Sequence, residues 1–147
     1  MKVTFTKKER RYGVYISRDR ATDLFAGSAP GYDDWLPHDL LHFVVEAEFG
    51  LDDGIFGTIA AGRKAKVFIP VDPKETVKVW RQNRIKKIKL PEGRRSEQLV
   101  SRLERQRRTR SAPPALQAKL DALAEQWHAL PIGGSLTVEW PRPERRR

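Results

Sequence analysis

Between Asp34 and Asp53 the chain carries no lysine or arginine, although 29 of its 147 residues are basic. Within that window the run Leu36-Pro37-His38-Asp39-Leu40-Leu41-His42-Phe43-Val44-Val45-Glu46-Ala47-Glu48-Phe49 is the most helix-like apolar stretch, and it constrains the fold more than any other. Pro37 suits a first helical position, where a missing N–H costs nothing, and Gly50 suits the stop. At about 100° per residue, His38, Asp39, His42 and Glu46 share an arc of roughly 100°, and apolar side chains fill most of the remaining circumference. Such a helix is buried on most sides, so other elements must surround it.

Those elements are legible in outline. Val3 and Phe5 alternate with polar residues, as do Tyr12, Val14 and Ile16, which predicts an antiparallel hairpin across the charged turn Lys7 to Arg10. Residues 18 to 35 read as a loop. Ile55 to Ala61 reads as a short helix closed by Gly62, and the small residues Gly54, Gly57, Ala60 and Ala61 allow it to pack closely on the central helix. Residues 66 to 71 suit a short strand or an extended segment. Asp72-Pro73-Lys74-Glu75 is a helix-start signal for a helix reaching about Leu90. A second basic helix, from Ser96 to about Thr109, has a thin apolar stripe of Leu99, Val100 and Leu103. Leu116, Leu120, Leu123, Trp127 and Leu130 mark an amphipathic helix, and Leu136, Val138 and Trp140 a closing strand. The expected class is α+β: a small antiparallel sheet of about three strands from both termini, packed by three to five helices. Residues 1–140 are expected to form one domain with a basic helical insertion at about 73–110, followed by a disordered basic tail at 141–147.

The absence of cysteine excludes disulfides, thiolate zinc sites and a cysteine nucleophile. The first nine residues lack the apolar core of a signal peptide, and no apolar run is long enough to span a bilayer, so the expected compartment is the cytoplasm with no membrane contact. Charge is unevenly placed. Residues 74–110 hold 14 Lys or Arg against 4 Glu, a balance equal to the whole chain's +10, whereas residues 19–53 hold 9 acids and only Arg20.

His38 and His42 lie one helical turn apart on one facet, the spacing at which two imidazoles can reach one metal ion. The expected ligands are His38, His42 and Glu46, with zinc as the cofactor. Glu46 lies about 12 Å along the axis from His38 and would reach a shared ion only by stretching. Asp33, Asp34, Asp52, Asp53, Glu125 and His128 are therefore alternatives for the third donor. Asp39 is either a ligand or a general base that orients a bound water. The structural alternative is that Asp39 complements the helix dipole and the histidines are hydrogen-bonded at the core's edge.

The five residues His38-Asp39-Leu40-Leu41-His42 resemble the HExxH pattern of zinc proteases with Asp for Glu. They are more similar to the HDxxH motif of the coenzyme Q biosynthesis zinc-motif family. The latter resemblance implies a metal held by His38, Asp39, His42 and a later acid; the position that acid would take falls near Gly54, with Asp52 and Asp53 slightly earlier. The pattern PGYDxxLPHDLxHF also resembles that of small uncharacterised bacterial proteins, a resemblance that carries no known activity.

Two functions from different classes follow. One is a metal-dependent, hydrolase-like protein with its site on the central helix. The other is a basic interaction module for nucleic acid or an acidic protein partner. In that reading the histidines are structural and Arg81, Arg84, Lys86, Lys87, Arg105, Arg107 and Arg108 carry the binding. Trp80 is the only aromatic residue in the basic stretch, which argues against a base-stacking platform.

Overall fold

Strand β1 (Lys2–Lys8) pairs antiparallel with β2 (Arg11–Ser17), and Lys8 faces Arg11 across the turn. The turn is therefore the two residues Glu9 and Arg10, and Arg10 takes a left-handed φ of 58°. The computed structural model describes residues 1–29, 35–63, 68–74 and 93–143. Strand β5 (Ser135–Glu139) pairs with the free edge of β1, so both ends of the described chain meet in the sheet, as the alternation predicts.

The sheet has five strands rather than three. Strand β3 (Leu24–Ala29) pairs with β2, β4 (Ile69–Pro70) pairs with β3, and the antiparallel order is β4-β3-β2-β1-β5. Strand β3 lies in the stretch read as loop. Its sequence, LFAGSA, carries small residues and no sustained alternation, so its identity comes from its partner through the pairs Ile16–Leu24 and Tyr15–Phe25.

Val3, Phe5, Tyr12, Val14, Ile16, Leu24 and Leu136 are buried on one face of the sheet and share a core with the helices. The other face is polar where β1 meets β5, with hydroxyl pairs Thr4–Thr137 at 2.9 Å and Thr6–Ser135 at 3.0 Å. The helices are α1 (His38–Glu48), α2 (Ile55–Ala60), α3 (Arg94–Thr109) and α4 (Pro114–Ala129). No helix among the described residues is long and apolar enough to cross a membrane. The helix expected from Pro73 to Leu90 falls mostly outside the described residues.

Helix α1 is encased. Phe43 meets Phe56 and Trp140 edge-on at 5.3 and 5.5 Å, and Phe56 meets Phe68 at 6.0 Å. Helix α3 covers another side of α1, with Val100 and Leu103 in the core, so this part of the expected insertion is integral to the packing. Trp127 of α4 is fully buried, and Lys7 of β1 reaches its carbonyl at 3.1 Å. Trp127→Ala is expected to cost about 3–5 kcal/mol in urea unfolding, through lost contacts and the cavity left behind.

Arg142, within the stretch expected as a tail, is docked. Arg142 stacks on Trp140 at 4.5 Å and donates to the carbonyls of Glu46 and Ala47 at 3.4 and 3.3 Å. These belong to the last turn of α1, which carries no base of its own, so Arg142 supplies the cation that the helix C-terminus favours.

Candidate metal centre

Pro37 ends the preceding segment and opens α1, so His38 sits in the first turn and His42 one turn later. The two rings meet edge to face at 4.7 Å between centroids, with Nε2 to Nε2 at 3.1 Å. Helix α3 brings Glu97 against both: Oε1 is 2.7 Å from His42 Nε2 and 3.4 Å from His38 Nε2. His38, His42 and Glu97 form a group of side chains whose donor atoms could hold one metal ion. Zinc bonds histidine nitrogen and carboxylate oxygen at about 2.0–2.2 Å, and a point about 2 Å from all three donor atoms lies just off their plane. His42 is buried, whereas the side chains of His38 and Glu97 are 46% and 56% exposed, so the group has one protein side and one open side.

Each imidazole faces a polar side chain on its other nitrogen. His38 Nδ1 faces Glu104 Oε1 at 3.5 Å. His42 Nδ1 lies 2.7 Å from Ser96 Oγ, and Ser96 donates to Glu46 Oε2 at 2.8 Å. The other oxygen of Glu46 accepts the N–H groups of Phe56 and Gly57 at 2.8 and 3.1 Å. Gly54, just before α2, and Gly57 within it serve this arrangement. A Cβ on Gly54 would collide with the Glu46 side chain, and one on Gly57 with the Leu51 carbonyl and Asp52 backbone.

The relay fixes a tautomer. With Glu46 ionised, Ser96 gives its one proton to Glu46, so its oxygen accepts from His42 Nδ1–H. His42 Nε2 then holds a lone pair, directed at a carboxylate oxygen 2.7 Å away. A lone pair and a carboxylate at that distance repel unless a cation lies between them. Protonation of His42 is opposed by burial, which pushes its pKa below the ordinary 6.5; the Glu97 charge works in the opposite direction. A metal ion meets the same need without placing a second proton on a buried ring.

Burial likewise raises the Glu46 carboxyl, against the pull of the Gly57 and Phe56 N–H groups and the Ser96 hydroxyl. The depressed His42 pKa gives a pH dependence of known sign. Below 6.5 the unfolded chain takes a proton at this residue before the folded one does, so the stability it contributes is present above 6.5 and lost as pH falls through the folded pKa. The raised Glu46 carboxyl works in the opposite direction, so the check is a comparison: in thermal melts in chelator, the stability of the wild type relative to His42→Gln should decline from about pH 7.5 to 5.

The other expected residues are placed differently. Glu46 is not a member of the donor group. It faces the core on the Nδ1 side of His42, 3.9 Å away, and its oxygens are occupied by the three donors above. Asp39 turns toward the sheet, where it accepts the Tyr12 hydroxyl at 2.9 Å while its own N–H donates to that oxygen at 3.2 Å. The expected general base is thus engaged with Tyr12, whose own ionisation is pushed up by burial and by the Asp39 charge. His128 and Glu125 are exposed on α4, Asp52 lies 3.4 Å from Arg142, and Asp33 and Asp34 are outside the described residues.

Of the basic residues, Arg105 and Arg108 are exposed on α3, whereas Arg107 is half-buried with its guanidinium over Trp35 at 4.8 Å. Arg81, Arg84, Lys86 and Lys87 are outside the described residues. Sequence reasoning missed Glu97, Ser96 and Glu104. The available signal was that the helix they share has only two acids, spaced seven apart. Comparison with known protein families, characterised proteins and solved structures finds no match to this chain.

Proposed function

We propose that the chain binds one zinc ion through His38 Nε2, His42 Nε2 and Glu97 Oε1 and uses the open fourth position for hydrolase-like chemistry. The supporting observation is the triangle of donor atoms, with edges of 3.1, 2.7 and 3.4 Å, on a pair of imidazoles braced from behind. Two histidines, one glutamate and a free position facing solvent match the donor set of catalytic rather than structural zinc sites. Zinc held this way supplies a water activated near neutral pH and a Lewis acid for a carbonyl or phosphoryl oxygen. The chain's own contribution is orientation: Ser96 and Glu46 hold His42 in one tautomer, and Glu104 aligns His38. The reading keeps both histidines of the HDxxH resemblance and replaces its adjacent and later acids with Glu97.

Elemental analysis of untagged protein tests the proposal. One zinc per chain is expected, and none in His42→Ala. A chain whose melting temperature and metal content are both unmoved by a chelator would sink it.

A further inference from the structure

Helix α3 contains six arginines, two glutamates and no lysine. Both glutamates turn to the histidines, and Arg107 turns to Trp35. The remaining five, Arg94, Arg95, Arg102, Arg105 and Arg108, are exposed, and none is held in an ion pair among the described residues. At about 100° per residue they share an arc of roughly 140° with Gln98, Ser101 and Thr109, so this face carries no acid and no apolar side chain. Arg94 to Arg108 spans about 21 Å of helix, room for several phosphates of a nucleic acid strand.

The chemistry of the face narrows its partner. Guanidinium forks grip phosphate with two parallel hydrogen bonds, which suits an all-arginine row. A helix lying on an anionic membrane needs apolar residues to insert beside its charges, and a protein interface needs an apolar or aromatic anchor. The outer face of α3 has neither.

We propose that the arginine face of α3 binds the phosphate backbone of a nucleic acid, and that a divalent ion at His38, His42 and Glu97 strengthens that binding. The second half rests on the zinc reading above. Without an ion, the carboxylates of Glu97 and Glu104 stand at the edge of the arginine row and repel phosphate. With one, two positive charges are added there and α3 is tied to α1, which holds the row in place.

Fluorescence anisotropy of the full chain with a mixed-sequence 20-base-pair DNA duplex, titrated over a range of KCl, tests the first half. Five phosphate contacts predict a slope of log affinity against log salt of about −4 to −5. Replacing Arg102, Arg105 and Arg108 by Gln should make it shallower by about 2.5 and weaken binding at least tenfold at 100 mM KCl, with zinc content and melting temperature unchanged. A slope shallower than about −1, or a triple variant that binds like the wild type, overturns this half. So does tighter binding to phosphatidylserine vesicles than to DNA at the same salt, which would assign the face to a membrane.

Repeating the titration with zinc chloride and with a chelator tests the second half, and at least about fivefold tighter binding is expected with zinc. Zinc uptake in calorimetry without a change in DNA affinity overturns the coupling alone. No zinc uptake overturns the site reading, and the coupling with it, while arginine-dependent DNA binding would still stand.

Discussion

Glu97→Gln is expected to lower zinc affinity by at least about 100-fold, beyond the 10–100-fold typical of losing a residue that only supports a ligand. The fold should survive, because Glu97 is 56% exposed and lies outside the core. The amide keeps the size of the side chain but removes the charge that makes the oxygen a strong donor. Loss of metal should be visible as loss of stability. At a zinc concentration 100 times the dissociation constant the wild type gains about 2.7 kcal/mol, roughly 5–10 °C in melting temperature for a chain of this size. The variant should show almost none of that gain at the same zinc concentration. Calorimetry and melts with and without zinc measure both quantities. A variant that binds zinc as tightly as the wild type would remove Glu97 from the site.

Glu46→Ala should be the more damaging change to the fold, costing about 3–5 kcal/mol in chelator, where metal plays no part. Three donors converge on this fully buried side chain: two backbone N–H groups of α2 and the Ser96 hydroxyl. Truncation leaves all of them without an acceptor where water has little access, and it unties α1 from both α2 and α3. Glu46→Gln retains an acceptor for the backbone donors and should cost less. It should still weaken zinc binding by about 10–100-fold, because Ser96 would no longer hold the His42 proton on Nδ1. Urea unfolding of both variants, with zinc titrations of Glu46→Gln, separates the two effects. Glu46→Ala within about 1 kcal/mol of the wild type would contradict the role assigned to this network.

The two predictions exchange the roles that the helix wheel suggested. The wheel places Glu46 on the polar facet of α1 and Glu48 in the apolar arc. In the fold Glu46 is fully buried and Glu48 is exposed, 3.1 Å from Lys119. A wheel records which residues share a side of a helix, but not what covers that side. Here the polar facet is where α3 docks, so its acid becomes an interior acceptor.

The local sequence determined what depends on near neighbours. Pro37 and Gly50 bound α1, four-residue spacing put His38 and His42 on one facet, and alternation set the strands contributed by both ends of the chain. The tertiary structure alone decided what depends on contacts distant in the chain. Strand β3 has no pattern of its own and exists by pairing with β2. Glu97 stands 59 residues from His38, and Ser96 stands 54 from His42. No periodicity links positions that far apart; the packing of α3 on α1, with Val100 and Leu103 buried in the core, brings that turn of α3 to the histidines, because apolar burial sets which helix faces meet.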